Sequence, residues 1–325
     1  MPKVSLVIPA YNIESYIRRC IESVKHQTFT DFEAIVVDDA STDNTHAVLV
    51  EAIGDDTRFR LVRHEKNRGL HLARRSAAAL VSGEYVFCLD GDDELAPDFL
   101  QQVVGRMDEH PVDMLHVGIT VIPENGVTPQ EAEGFAAYIN RPTTPLNDAD
   151  ILRMIYDEAN GQPLDWRATQ RLYRASLFKA AFERMTDEVL ERAEDAYEVF
   201  VLATLSETAD GFEACRGYIY HYGIGVTGTS KISMDTFGRF CKQFAACIQK
   251  TEEFVQEYGA TAELQSAYCG MVHKLLELLA NDWLVRVDPA EQEEALKPFA
   301  AAFNDAVVAR ELYRFVRDIA YEAIA

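Results

Sequence analysis

Gly83-Glu84-Tyr85-Val86-Phe87-Cys88-Leu89-Asp90-Gly91-Asp92-Asp93 is a short apolar run that ends on three carboxylates within four residues. Tyr85–Leu89 reads as a buried strand, with Asp90-Gly91-Asp92-Asp93 as the loop at its C-terminal tip. Crowding like charges in this way is costly. One pair about 4 Å apart at an effective dielectric near 20 costs about 4 kcal/mol. A fully solvated loop tolerates such a run, and so does a bound cation. The buried approach through Tyr85–Leu89 fixes the loop at a sheet edge and favours the cation. All-oxygen ligands point to Mg2+ or Mn2+ rather than zinc.

Around that strand, the N-terminal part of the chain alternates short apolar runs with amphipathic stretches, the pattern of an α/β sheet with covering helices. Val4–Ile8 and Phe32–Val37 read as buried strands, and Phe59–Val62 as a third. Between them, Ile13, Ile17, Cys20, Ile21 and Val24 share one face of a helix over Ile13–Val24, and Ala47–Ile53 is helical. Leu70–Val81 is the next helix, ended by Ser82-Gly83. Pro97 opens another, and Met114–Ile122 reads as a fifth strand.

Pro123–Asp148 shows no periodicity and is expected to be a long loop. Helices are expected at Ala149–Asp157, Arg174–Arg184 and Asp195–Glu207, then a strand at Cys215–Tyr222. Gly223–Ser233 is rich in Gly, Thr and Ser and reads as a flexible loop. From Asp235 the chain reads as helical to its end. There Leu264, Tyr268, Val272, Leu275, Leu279 and Trp283 recur every three or four residues, and Pro289 suits the first turn of a further helix. This part has no clustered polar chemistry and is expected to be a helical appendage or a homo-oligomer interface.

The 325 residues are 48% hydrophobic and 26% charged, enough for a substantial core. The net charge of -22 argues against nucleic-acid partners and anionic lipid. An anionic ligand could bind only where a metal, helix N-termini or placed arginines reverse the local field. The six cysteines form no CxxC pair and no zinc spacing, which predicts reduced thiols and a reducing compartment. Met1-Pro2-Lys3 runs straight into a strand, so no secretory leader is expected. No apolar stretch approaches the roughly 20 residues that span a bilayer. A cytoplasmic protein is expected, with membrane contact at most peripheral, at the inner face.

In an open α/β sheet, ligands bind at the C-terminal ends of the strands. Pro9-Ala10-Tyr11-Asn12, Asp38-Asp39 and Asp90-Gly91-Asp92-Asp93 all fall there, and two acid pairs on one edge argue for a site. Val4–Asn12 (VSLVIPAYN), Val37–Asp43 (VDDASTD), Asn67–Ser76 (NRGLHLARRS) and Gly83–Asp93 resemble, in order and spacing, the family 2 glycosyltransferases of bacterial cell-surface polysaccharide synthesis. Glu194-Asp195 is similar to that family's later acidic motif, and Leu172-Tyr173 to its lysine-leucine-tyrosine segment.

The resemblance implies a GT-A fold over 1–222, with 1–122 as the nucleotide-sugar half and 123–222 as the acceptor half. A loop over 223–234 and a helical region over 235–325 would follow. It implies a UDP-sugar donor, a glycan or lipid-linked saccharide acceptor, and transfer with inversion. Pro9, Ala10 and Tyr11 would line the base, with Tyr11 stacking on it. Asp39 would accept a hydrogen bond from uracil, supported by Asp38 and Glu14. Arg68 or Arg74 would face the nucleotide. Asp90 and Asp92 match the DXD motif, with Asp92 the direct ligand of Mn2+ or Mg2+. Asp195 would be the general base.

Glu194-Asp195 could otherwise be capping charges at a helix start. Ala40, Arg75, Arg171 and Gly223 depart from the family's usual Gly, Asn, Lys and Arg. The last departure leaves the role of Tyr220-His221-Tyr222 open between structure and function. A non-catalytic nucleotide-sugar-binding protein is the rival from another class. A receiver domain would place its acceptor Asp and Lys differently, and a nucleotidyltransferase would open with a Gly-rich phosphate loop.

Overall fold

In the computed structural model, which describes residues 1–156, 165–224 and 231–322, the N-terminal part alternates strand and helix as the periodicity predicts. The elements are β1 (Val4–Ala10), α1 (Ile17–Lys25), β2 (Phe32–Asp38), α2 (Thr45–Ile53), β3 (Phe59–Arg63), α3 (Gly69–Ala78) and β4 (Tyr85–Cys88). The chain continues through β5 (Glu94–Leu95), α4 (Phe99–Glu109), β6 (Met114–Val117), β7 (Ile119–Pro123), α5 (Pro129–Ile139), β8 (Leu146–Asn147) and α6 (Ala149–Tyr156). Then come β9 (Arg171–Arg174), α7 (Ala175–Arg184), α8 (Glu194–Leu205), β10 (Thr208–Phe212) and β11 (Tyr218–Tyr222). Four helices follow: α9 (Met234–Tyr258), α10 (Ala262–Asn281), α11 (Gln292–Phe303) and α12 (Asp305–Glu322).

Eight strands form one sheet in the order β3-β2-β1-β4-β9-β6-β10-β8. The first four are mutually parallel, and β9 runs antiparallel to both β4 and β6. Alternation along each strand feeds two cores. Leu6, Ile8, Ala34, Val36 and Phe87 pack on α1, α2 and α4 on one face. Val7, Ile35, Val37, Val86 and Cys88 pack on α3, α7 and α8 on the other.

Three expectations are corrected. Met114–Ile122 is not one strand. β6 stays in the main sheet, while β7 joins a second sheet of order β5-β11-β7. The break is at Gly118, where a Cβ would lie 2.3 Å from the Glu213 carbonyl oxygen, so only glycine permits the two backbones to approach. Pro123–Asp148 is not a long loop but carries α5. Thr128 and Glu131 close a capping box there, with a proline at the first turn, a start signal that the polar composition masks. The short β9 and β10 carry no alternation that marks them in sequence; β9 exists through pairing with β4 and β6, and β10 through pairing with β6 and β8.

The C-terminal helices are not an appendage. Phe244, Cys247 and Phe254 of α9 and Leu264, Leu275 and Leu279 of α10 belong to the same core as Val86 and Phe200. The Cys247 thiol donates to the Ala193 carbonyl at 3.0 Å, just ahead of α8. The expected loop over Gly223–Ser233 falls largely outside the described residues. The cysteines are unbridged, and all but Cys269 are buried. No described helix is long and apolar enough to cross a membrane.

Candidate active site

The strand order reverses direction at β1, between β2 and β4, and the C-terminal ends of these strands lie side by side. Ala10 pairs with Asp38, and Val7 with Cys88. This is the crevice where an open α/β sheet takes its ligand. Tyr11 follows β1 and is 44% exposed, open to stack on a planar ligand. Asn12, at φ 51°, accepts from the Thr42 N–H at 2.8 Å, and Glu14 accepts from the Asn44 N–H at 2.7 Å. Both tie the entry of α1 to the loop after β2.

Asp38 is fully buried. It accepts from the Ser41 N–H at 2.9 Å and faces His46 Nδ1 at 2.9 Å and Arg63 Nε at 3.2 Å. Asp39 caps α3, accepting from the N–H groups of Arg68 at 2.9 Å and Gly69 at 2.7 Å, with His64 Nδ1 at 2.6 Å. Arg68 thus reaches Asp39 through its backbone. Ala40 holds φ at 60°, in the left-handed region that costs an L-residue about 1–2 kcal/mol. Ala40→Gly is expected to raise stability by about 0.5–1 kcal/mol after the unfolded-chain entropy of glycine is subtracted. Thermal unfolding reads this directly, and an unchanged or lower midpoint counts against strain at this turn.

The acidic loop lies close against β1. A Cβ on Gly91 would sit 2.5 Å from Ile13 Cδ1 and 3.0 Å from the Pro9 carbonyl oxygen, so the absent side chain lets the loop lie this close. Carboxylate oxygens of Asp90, Asp92 and Asp93 come within 4.8 Å of one another, which fits a shared cation. Asp93 has both oxygens engaged, by the Tyr218 hydroxyl at 2.6 Å and the His221 N–H at 2.9 Å. Asp90 and Asp92 remain half-exposed, and Arg19 holds the Asp92 carbonyl at 2.7 Å. Burial pushes the Asp90 carboxyl up to about 7, with Arg74 opposing and the neighbouring Asp92 and Asp195 charges adding. Burial also raises Asp92 and Asp93. Carboxylates held so far from comfortable ionisation are stabilised by a divalent charge.

The His221 ring, buried between Glu94 at 2.8 Å and Glu124 at 3.0 Å, braces the second sheet.

Across the crevice, α8 begins at Glu194 directly after Ala193, which is left-handed at φ 65°. Asp195 in that first turn receives a hydrogen bond from Arg74 Nη1, although the two residues are 121 positions apart. The same nitrogen donates to Glu198 at 2.9 Å, and Arg74 Nη2 lies 3.4 Å from Asp90. One wholly buried guanidinium therefore joins the two acidic motifs. Burial lifts the Asp195 carboxyl above its ordinary value, while Arg74 pulls it down and Glu198 pushes it up. Burial and the adjacent Asp195 push Glu194 up to about 8.

The edge thus collects Pro9, Ala10, Tyr11, Glu14, Asp38, Asp39, Asp90 and Asp92, with Asp195 facing them across Arg74. Glu198, His71, Arg19 and Tyr218 were not singled out from the sequence. Glu198 was detectable, because it stands three residues after Asp195 on the same helix face. Arg19 and Tyr218 carry no local signal.

The profile of the family described as Glycosyl transferase family 2 matches residues 5–182. The putative glycosyltransferase EpsH of Bacillus subtilis (strain 168) is 25% identical over 317 residues, covering 93% of this chain and 88% of that protein. Residues 1–349 of TarS from S. aureus superpose with TM-score 0.64 at 21% identity, covering 92% of this chain and 80% of that one. The complex of the same fragment with UDP-GlcNAc gives TM-score 0.57 at 20% identity, covering 93% and 89%. The mannosyltransferase PcManGT from Pyrobaculum calidifontis, in complex with GDP-Man and Mn2+, gives 0.56 at 17%, covering 100% and 81%. At such identities the solved structures carry the fold alone, and that fold is GT-A.

Proposed function

Since this chain belongs to glycosyl transferase family 2, we propose that it transfers a sugar from a UDP-sugar to a glycan or lipid-linked saccharide, with inversion and with Mn2+ or Mg2+. The observation that carries this reading is the single buried Arg74 that holds Asp195 opposite Asp90 at the strand-end crevice. In that reading, Tyr11 stacks on the base, beside Pro9 and Ala10, and Asp38, Asp39, Glu14 and Arg68 shape its pocket. Asp90 and Asp92 would hold the cation, while Asp93 stays committed to Tyr218 and His221. A cation held there would supply charge that stabilises the departing diphosphate.

Asp195 accepts the proton of the acceptor hydroxyl as that oxygen bonds to the anomeric carbon. The bond between the anomeric carbon and the diphosphate oxygen breaks, and UDP leaves with its electron pair. One displacement inverts the anomeric centre. Residues 123–222 would hold the acceptor so that its hydroxyl reaches Asp195. The solved complexes of the similar structures contain UDP-GlcNAc for TarS and GDP-Man with Mn2+ for PcManGT. The uracil reading rests on the family resemblance, since Asp39 itself is buried with both oxygens engaged by Arg68, Gly69 and His64. A lipid-linked acceptor would place the enzyme at the inner face of the cell membrane.

A thermal-unfolding screen of UDP, GDP, CMP and UDP-sugars, with Mn2+ or with EDTA, tests this reading. Ligand at a hundredfold excess over its Kd stabilises the folded state by about 2.7 kcal/mol. UDP or one UDP-sugar is expected to raise the midpoint only with Mn2+. A larger shift with GDP would move the donor away from uridine. No shift with any nucleotide would remove the donor assignment.

A further inference from the structure

From the buried chain His71–Glu198–Arg74, we infer that Glu198 and His71 are positioning residues for the transfer reaction: they hold Arg74, and through it set Asp195 against Asp90. The inference rests on the reading of Asp195 as the base, and it gives Arg74 a role other than contact with the donor.

His71 and Arg74 stand three residues apart on α3, and Asp195 and Glu198 stand three apart on α8, so each pair shares one helix face. The faces oppose each other. His71 Nδ1 lies 2.8 Å from one Glu198 oxygen, and Arg74 Nη1 lies 2.9 Å from the other. His71 Nε2 reaches the Thr186 carbonyl at 2.9 Å, in the segment between α7 and α8, and its ring stacks on Phe182 with centroids 6.0 Å apart. Both ring nitrogens face oxygen acceptors. The chain is thus anchored on backbone at one end and reaches Asp195 and Asp90 at the other.

Burial separates the holders from the held. His71, Arg74 and Glu198 are fully enclosed, whereas the side chains of Asp195 and Asp90 keep 24% and 32% exposure. Only Asp195 and Asp90, both at the Arg74 end of the chain, can meet a ligand. Arg74 spends its Nη1 on Asp195 and Glu198 and its Nη2 on Asp90. A sealed guanidinium committed in this way is not placed to grip a diphosphate, but it does fix two carboxylates that come from distant parts of the chain. Burying such charges is costly, and apolar residues of similar volume are often as stable or more so. Stability alone therefore does not account for the His71–Glu198 pair.

The test replaces that pair by an apolar one, His71→Leu with Glu198→Met, a swap of the kind that tends to preserve folding. Arg74→Lys is the second variant: it keeps the buried charge, but one ammonium cannot serve both Asp195 and Asp90. Thermal midpoints, UDP affinity in Mn2+ by calorimetry, and kcat and KM for transfer would be measured for both. The double variant is expected to keep its midpoint and bind UDP within about twofold of the wild type, while kcat falls by about 10–100-fold. Arg74→Lys is expected to lose about 10²-fold in kcat with UDP affinity retained. Wild-type kcat in the double variant would overturn the inference. So would a loss of UDP affinity in Arg74→Lys that matches its loss in kcat/KM, since that would make Arg74 a donor ligand. A wild-type chain that binds no nucleotide would instead overturn the donor reading on which the inference stands.

Discussion

Asp195→Asn is expected to lower the transfer rate by about 10²–10⁴-fold while leaving Mn2+-dependent UDP binding within about twofold of the wild type. The amide has the shape of the carboxylate and still offers Oδ1 to Arg74, so the contact and the start of α8 are retained. What it cannot do is take a proton. Burial raises the proton affinity of the native carboxyl, which makes it a stronger base than a solvated aspartate, with Arg74 opposing that rise. Glu194, pushed up to about 8 by burial and by the charge beside it, is biased toward its protonated form and is a poor substitute. Single-turnover transfer, with the anomeric configuration of the product read by NMR, checks both the base and inversion. Near-normal turnover in this variant would place the base elsewhere, and a retained configuration would rule out a single displacement.

Asp92→Ala is expected to remove the metal dependence of donor binding. A charge-assisted contact contributes about 1.5–3 kcal/mol, so UDP affinity in Mn2+ should weaken on the order of 10–100-fold and no longer respond to EDTA. The apoprotein should lose no stability, because Asp92 is one of the charges that raise the proton affinity of Asp90 and Asp93. Deleting it relieves repulsion rather than breaking a pair. Its backbone carbonyl, the acceptor for Arg19, is untouched by the substitution. Calorimetric titration of UDP with and without Mn2+ decides the matter. Unchanged Mn2+ dependence would move the ligand role to Asp90 and Asp93.

Much of the fold and of the ligand-binding edge is written locally. A buried strand needs only its own apolar run, and the loop that follows its C-terminal end inherits a position at the sheet edge. Tyr11, Asp38-Asp39 and Asp90-Gly91-Asp92-Asp93 are therefore readable from a few residues each. The α1 face over Ile17, Cys20, Ile21 and Val24 is equally local, because helical spacing records burial directly.

The tertiary structure decided whatever depends on a partner far away in the chain. Arg74 and Asp195 meet across 121 positions, and nothing near Arg74 distinguishes a sealed bridge from a nucleotide contact. The sequence places Asp93 in one acidic cluster with Asp90 and Asp92, and only the folded chain brings Tyr218 and His221 from β11 to engage both its oxygens. Met114–Ile122 looks like one strand, because its apolar run does not record that Glu213 crowds Gly118 and sends β7 into another sheet. The C-terminal helices show their apolar faces in sequence but not what covers them. That the cover is the same core that carries Phe200 follows from three-dimensional packing alone. The physical reason is common to all of these. Periodicity and turn chemistry act over a few residues, whereas pairing of charges, filling of hydrogen-bond acceptors and close backbone approach are set by groups that only the folded chain brings within reach.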